Sequence, residues 1–227
     1  MTTSQRFRAT ATGPVSFRGK LPYGTLMVRT EPGLQHPEIV VSTQDQTGPS
    51  ADAVRKARFV ERNGQVSVEV DMPDSGGGSV TIVNGMNFSG GVTMVNGRVI
   101  SGSGAVQTGN SSIYIAALLP PNSSVEFDTV SAAVQIEGAA AHVSGKTMSG
   151  SVTVEVAASA DCSTVSGRID IRALGGDARL KSMSGSIDVC ATTPCRVKAE
   201  TMSGDVTVRG VRVELDGRSM SGRVRQF

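Results

Sequence analysis

The chain has 227 residues, of which 38% are hydrophobic and only 4% aromatic, and it contains 27 glycines and no tryptophan. This length suits one large all-β domain or two small ones, with a core of aliphatic rather than aromatic side chains. The 22 lysines and arginines nearly balance the 20 aspartates and glutamates, and a net charge of +2 argues against a surface built for nucleic acid or for an anionic membrane.

The first predicted elements are short strands. Alternating or β-branched runs lie at 15–17, 25–29, 39–42, 57–61 and 66–70. Asn63-Gly64 predicts the turn of a hairpin between the last two runs, and residues 51–56 predict one helical turn. We expect residues 1–74 to form a small β unit that caps the stack described below, because an open end would expose apolar side chains and unpaired backbone groups.

The next segment carries a repeated Val-Thr-x-Val-Asn-Gly motif at 80–85 and 92–97. Asn-Gly is typical of tight turns after short strands. Because the spacing of 12 residues is about two-thirds of the later period, we interpret these residues as irregular first coils of the same stack, with a plain hairpin as the alternative. Residues 113–125 then predict a strand that ends at a proline turn and leads into the regular repeat.

The most regular feature is a Ser-Gly pair that recurs at intervals of 17, 18, 19 and 18 residues. A degenerate copy at Ser131-Ala132 precedes the five complete pairs. The complete pairs are Ser149-Gly150, Ser166-Gly167, Ser184-Gly185, Ser203-Gly204 and Ser221-Gly222. Four of the five follow a methionine, and the remaining pair follows Val165.

Each pair is followed by a strand in which apolar residues alternate with polar ones, as in Val152 and Val154 or Ile169 and Ile171. A second alternating segment closes each copy. Two strands and two bends of constant polarity in about 18 residues predict a parallel β-solenoid, in which equivalent residues stack at about 4.8 Å per coil. We therefore expect an all-β solenoid over residues 75–227, with methionine, valine and isoleucine ladders in its core.

The Ser-Gly pairs are predicted to be turn residues. Glycine tolerates positive φ or close backbone approach at a sharp corner, and the serine hydroxyl can satisfy a local backbone group. Catalysis by these serines would need a general base, whereas the only histidines are His36 and His142. The sequence therefore predicts a non-enzyme, with no catalytic residue, cofactor or metal.

The three cysteines, Cys162, Cys190 and Cys195, are an odd number, and the N-terminus carries no export signal. We expect buried, reduced thiols in a cytoplasmic protein that can associate with a surface; pairing of Cys190 with Cys195 is the alternative. No run approaches the length of a membrane span. A zinc site built from Cys190, Cys195 and His142 is disfavoured, because Cys-x₄-Cys is not a usual finger spacing.

The run from Leu119 to Ser131 and the recurrent Met-Ser-Gly-x-Val-x-Val motif resemble the bacterial "putative adhesin" family, a domain of unknown function with β-strand repeats. The likeness is strong over residues 113–227 and looser over 13–73. It implies a solenoid of β-strands, and it transfers no catalytic residue to this chain.

Together these features predict a non-enzymatic scaffold or binding module that contacts a protein partner, or itself, through the faces of the solenoid or through its last coil. The predicted assembly edge comprises Arg223, Val224, Arg225, Gln226 and Phe227. Because this strand is followed by no cap, backbone pairing with a second copy would give a dimer or a filament.

The alternative function is a carbohydrate-binding or polysaccharide-cleaving β-helix, or a cell-surface adhesin. Asp170, Asp188 and Asp205 suggest it, since acidic residues in a groove are typical of such proteins. Few aromatic side chains are present for sugar stacking, however, and arginines lie nearby in the sequence. Surface ion pairs therefore account better for these aspartates.

Overall fold

The computed structural model describes residues 2–71 and 112–227, together with the strand backbone at 93–95 and 98–101. The elements are β1 (Thr3–Arg8), β2 (Ser16–Thr30), β3 (Glu38–Thr43), α1 (Pro49–Arg55), β4 (Arg58–Arg62), β5 (Gln65–Glu69), β6 (Thr93–Val95), β7 (Arg98–Ser101), β8 (Ile113–Leu119), β9 (Ser124–Thr147), β10 (Val152–Thr164), β11 (Ile169–Leu174), β12 (Ala178–Ser182), β13 (Ile187–Ala191), β14 (Cys195–Thr201), β15 (Val206–Arg209), β16 (Val213–Ser219) and β17 (Val224–Gln226). The predicted all-β class is confirmed.

The strands stack in two faces. On the first face, β17, β15, β13, β11, β10, β9, β2 and β8 lie side by side and parallel. On the second face, β16, β14, β12 and β10 are parallel and continue into β9. The strands β9 and β10 are long because each runs through both faces, so the chain crosses one face, turns, crosses the other and rises by one strand.

The register of the first face follows the predicted inward residues. Val152 pairs with Ile169, Ile169 with Ile187, Ile187 with Val206, and Val206 with Val224. Of these five side chains, the first four are fully buried, whereas Val224 in the terminal coil is 41% exposed. The two faces enclose one continuous aliphatic core, to which Phe17 and Phe127 add the largest buried side chains.

The prediction that the repeat methionines belong to this core is wrong. Met148, Met183, Met202 and Met220 are between 46% and 79% exposed. Each lies in the corner after a second-face strand, where the side chain of the preceding threonine or serine points inward and the next one must point out. Val, Ile, Leu and Ala fill the interior without them.

The N-terminal section joins the same sheet. Strand β2 pairs in parallel with β9 from Ser16 to Arg29, and its two halves pair on the other side with β5 and β8. Beyond these strands the ladders become antiparallel, through β3 and β1 on one face and β4 on the other. The predicted hairpin at Asn63-Gly64 and the short helix α1 are confirmed.

In the segment before β8, the described strands β6 and β7 differ from the expected coils. The first Val-Thr-x-Val-Asn-Gly motif lies outside the described residues. Strands β6 and β7, which flank the second Asn-Gly, pair antiparallel with each other as a hairpin does. The strand that precedes β9 in the stack is β2, so this neighbour comes from the N-terminal section rather than from residues 75–108.

Within the part of the chain that the structure describes, no helix has the length and hydropathy needed to span a lipid bilayer.

Candidate functional site

The Ser-Gly corners lie one above another at the edge between the two faces. A Cβ added to Gly167 would lie 1.9 Å from the carbonyl oxygen of Gly150, and one added to Gly185 would lie 1.7 Å from that of Gly167. The same contact recurs at Gly204 and Gly222, at 2.1 and 2.0 Å. Glycine is therefore required at these positions because successive coils approach too closely for a Cβ, and not because the backbone adopts a positive φ.

The hydroxyl that stabilises each corner belongs to the residue three positions before the glycine. Thr164 Oγ1 accepts the N–H of Gly167 at 2.9 Å, and Ser182 Oγ accepts that of Gly185 at 2.8 Å. Thr147, Thr201 and Ser219 do the same for their glycines. The serine of the Ser-Gly pair is expected from the sequence to satisfy a local backbone group; for the glycine N–H, the acceptor is instead the threonine or serine three positions earlier.

The serines Ser149, Ser166, Ser184, Ser203 and Ser221 are exposed beside the buried or half-buried glycines. The two histidines hydrogen-bond elsewhere: His142 Nδ1 lies 2.8 Å from Ser159 Oγ, and His36 Nδ1 lies 3.2 Å from the carbonyl oxygen of Ala11. The described geometry thus assigns these serines to the corner and pairs none of them with a histidine base.

An apolar row runs along the outside of this corner. We define the corner stripe as Val130, Met148, Val165, Met183, Met202 and Met220, one residue from each of six successive coils. The residue before each of the last five is held in register, because Thr147 pairs with Thr164, Thr164 with Ser182, Ser182 with Thr201 and Thr201 with Ser219. At one residue per coil the corner stripe is about 24 Å long.

Beside the corner stripe runs a row of polar side chains on the second face. We define this charged column as Asp128, Lys146, Ser163, Lys181, Glu200 and Arg218; successive members from Lys146 onward are paired in register. Glu200 Oε1 lies 3.2 Å from Lys198 Nζ, and Glu200 Oε2 lies 3.6 Å from Lys181 Nζ. The hydrogen bond from Lys198, more than the charge of Lys181, lowers the pKa of Glu200.

The corner stripe and the charged column, except for Arg218, line a shallow groove with a volume of about 590 Å³. Its floor is formed by the buried threonines and serines of the corner, among them Thr129, Thr147 and Thr164. A long apolar row rimmed by charges is typical of a surface that contacts another macromolecule. This groove is the candidate functional site.

The predicted assembly edge, Arg223 to Phe227, forms β17 and its flanks. Among the described residues, β17 pairs only with β15. The N–H of Phe227 donates to Val208 O at 3.0 Å, and Val206 donates to Arg223 O at 2.9 Å. Since alternate residues of a parallel strand direct their backbone groups to the same side, Val224 and Gln226 direct theirs away from β15.

The aspartates of the carbohydrate alternative do not form one row. Asp170 and Asp188 are register partners, and Asp188 pairs with Thr207 in the next strand. Asp205 lies in the corner, where its Oδ1 accepts the N–H of Arg223 at 2.8 Å. Asp188 forms an ion pair with Arg168.

The three cysteines are free thiols. Only Cys162 is fully buried, and burial raises the pKa of its thiol to about 12. Cys190 and Cys195 are half-buried, which corrects the expectation that all three are buried. In the described ranges, no cluster of three or more His, Cys, Asp or Glu side chains could hold a metal ion.

Sequence comparison places this stack in a known family. The family model described as Toastrack DUF4097 matches residues 60–227. The chain belongs to the Toastrack family. The match covers β5 and every strand of the regular coils, and it confirms the resemblance to adhesin-like domains of unknown function. Comparison with curated proteins gives no significant match.

Two solved structures resemble this chain to different extents. A Bacteroides fragilis protein described as a "putative adhesin" is 11% identical, with a TM-score of 0.51 over 100% of this chain and 97% of its own. A Clostridium sporogenes protein described as a "putative cell adhesion protein" is 8% identical, with a TM-score of 0.42 over 100% of this chain and 98% of its own. At 11% identity the likeness to the Bacteroides fragilis protein concerns the fold alone.

The structure of this Toastrack chain adds a corner that sequence analysis missed. Gly24 pairs with Ala132, and a Cβ on Gly24 would lie 2.0 Å from Ile113 O. The Ser-Gly pattern does not include it, because tyrosine rather than serine precedes the glycine. The alternation of Phe17, Gly19 and Leu21 before the corner, and of Leu26 and Val28 after it, could have revealed it.

Proposed function

We propose that the chain is a non-catalytic scaffold or binding module that works by contacting protein, and that the corner stripe is its contact surface. The observation that supports this proposal most directly is the exposure of the corner stripe outside an interior that aliphatic residues already fill. Met183 and Met202 are 48% and 46% exposed, although Val and Ile side chains on the adjoining strands are fully buried. Methionine adapts its shape readily and is favoured at binding surfaces.

Photo-crosslinking in the native host tests this proposal. A crosslinking amino acid replaces Met183 in one variant and Thr193, at the opposite corner of the stack, in the other. We expect protein adducts at position 183 that disappear when Met202→Ser is added, and no such adducts at position 193. Equal adducts at both positions, or none at 183, would contradict the proposal.

We further propose that Arg223 to Phe227 acts as an assembly edge, at which the outward backbone groups of Val224 and Gln226 pair with another strand. The support is that β17 and β16 each have one pairing neighbour among the residues described. Exposed edges of this kind are templates for strand addition.

Gln226→Pro tests the edge, because proline removes an N–H that faces away from β15 and leaves the bonds to β15 in place. If the edge drives assembly, the unsubstituted chain forms larger species by light scattering, whereas Gln226→Pro does not. Gln226→Ala, which removes the side chain but keeps the N–H, is the matched control and should still assemble.

We also propose that residues 1–74 act as the N-terminal cap region of the repeat stack in residues 75–227: β2 adds a parallel strand next to β9, and the antiparallel strands β1, β3 and β4 end the parallel ladders. The change from parallel to antiparallel pairing at β8 and β5 supports this division of roles.

A cytoplasmic location, reduced thiols and the absence of a cofactor remain part of the proposal. Fractionation of native cells with an antibody to the chain tests the location.

A further inference from the structure

We propose that two copies of this chain associate through their corner stripes, running in opposite directions about a twofold axis that lies between Val165 and Met183. The inference rests on the proposed function, contact with protein through the corner stripe, and names the partner as a second copy. Closed homodimers are commonly twofold, so that each surface element meets its symmetry mate.

The symmetry determines which rows meet. An axis in the interface and perpendicular to the corner stripe places the charged column of one copy against the charged column of the other, in reverse order. An axis parallel to the corner stripe would instead place the charged column against the exposed corner serines, and no ion pair would form. The charges of the column therefore favour the antiparallel arrangement.

With the axis midway along the corner stripe, every charge of the charged column meets an opposite or neutral side chain of the partner's charged column. Asp128 faces Arg218 of the second copy, Lys146 faces Glu200, and Ser163 faces Lys181. The apolar residues match over their full length in the same register. Val130 lies against Met220, Met148 against Met202, and Val165 against Met183.

Neighbouring registers are excluded by like charges. An axis at the level of Val165 would place Lys146 against Lys181, and Asp128 against Glu200. An axis at Met183 would place Lys146 against Arg218, and Lys181 against itself. A shift by two coils restores opposite charges but leaves two residues of the corner stripe beyond the end of the partner stripe.

Two charges of the column are available for such contacts. Among the described residues neither Asp128 nor Lys146 makes an ion pair, although both are exposed. Their proposed partners, Arg218 and Glu200, already have neighbours within their own chain, Asp216 at 3.4 Å and Lys198 at 3.2 Å. The dimer therefore gives partners to the two charges that lack them, and electrostatic complementarity defines its register.

Sedimentation equilibrium with purified full chain tests the proposal, in low salt and in 0.5 M salt. We expect a dimer whose dissociation constant rises with salt. Lys146→Glu alone and Glu200→Lys alone each place like charges at two symmetric contacts, so each should weaken its homodimer about tenfold. An equimolar mixture of the two variants should form a heterodimer tighter than either homodimer, because both of its contacts then join opposite charges.

A second pair of variants, Asp128→Lys and Arg218→Glu, guards against local unfolding at Glu200 and should behave in the same way. Circular dichroism and melting temperature confirm that each variant folds. A mixture that behaves as the sum of its components, or a wild-type chain that is monomeric at several hundred micromolar, would overturn the proposal.

Failure of this proposal is distinguishable from failure of the proposed function. Adducts of position 183 that contain another protein, with a monomeric wild type in the centrifuge, would retain the binding role and reject the second copy. Gln226→Pro separates the two assembly modes, since it should leave the dimer intact. If Gln226→Pro abolishes all association, the edge stands and the stripe dimer is rejected.

Discussion

The two corners of each coil differ in how strictly their length is maintained. At the Ser-Gly corner, five positions separate the end of one strand from the start of the next in every coil, as from Thr164 to Ile169 and from Ser182 to Ile187. At the opposite corner the separation varies. It is eight positions from Val152 to Ala160, nine from Ile169 to Ala178, ten from Ile187 to Val197 and nine from Val206 to Leu215.

Backbone contact explains the difference. The Ser-Gly corners touch one another through glycine and carbonyl oxygen, and their amides bond to buried hydroxyls, so an added residue has no space. At the opposite corner the contacts are looser: an added Cβ would have no atom closer than 3.7 Å at Gly175 and would lie 2.5 Å from Ala158 O at Gly176, and Thr193 is exposed. The varying repeat interval of 17 to 19 residues therefore arises at one corner only, and the buried ladders stay in register despite it.

Insertion of a single glycine should show the largest difference in stability between the two corners. Between Ser166 and Gly167 it either breaks the corner or turns the alternation of β11 over, so that Ile169 and Ile171 face water. We expect no cooperative unfolding transition in a thermal melt. The same insertion between Gly175 and Gly176 lengthens that corner from nine positions to ten, the length that the next coil already has, and should cost less than about 1 kcal/mol. Similar melts for both variants would disprove the distinction.

Gly167→Ala should have the next largest effect. Its Cβ would lie 1.9 Å from Gly150 O, so two coils must separate, and we expect the free energy of unfolding to fall by at least about 3 kcal/mol. Gly175→Ala is the matched control. Its nearest atom is 3.7 Å away, and the change should be within about 1 kcal/mol in either direction. Urea denaturation of both variants measures the difference.

Thr164→Val tests the hydroxyl rather than the glycine. The variant keeps the shape of a buried side chain but leaves the Gly167 N–H without its acceptor, which should cost about 1–3 kcal/mol. Thr193→Val removes a comparable hydrogen bond to Gly175 O at the exposed corner, and should cost less than about 0.5 kcal/mol. Equal costs would mean that burial of the corner amide does not matter.

The regular coils were predictable from the sequence because period-two alternation and a constant Ser-Gly mark are both local signals. The buried ladder through Val152, Ile169, Ile187 and Val206 follows from them directly. Strand β2 was not recognised as a neighbour of β9, because its corner carries Tyr23-Gly24 and because about a hundred residues separate the two strands. Pairing over such a distance leaves no local signal.

The candidate site was only partly predictable. The methionines are evident as a repeat, and their hydrophobicity predicted that they lie in the core. Alternation along the strand decides their position instead: the buried Ser182 is followed by the exposed Met183. The charged column could have been found by counting two positions back from each corner residue. The pairing of this column across a twofold axis depends on the register of the second-face strands. That register cannot be read from the sequence, because the length of the opposite corner varies from coil to coil.

The smallest effect on stability is expected from Met183→Ser. This variant tests whether the exposed methionine stabilises the Ser-Gly corner of the folded monomer. Because Met183 is 48% exposed, we expect the free energy of unfolding of the monomer to change by no more than about 0.5 kcal/mol. The melting temperature measures this change. Leu180→Ser in the same coil removes a fully buried side chain and should cost about 3 kcal/mol or more. If Met183→Ser proved as costly as Leu180→Ser at dilutions where only monomer is present, the methionine would be a structural part of the corner, and its exposure would no longer point to a partner.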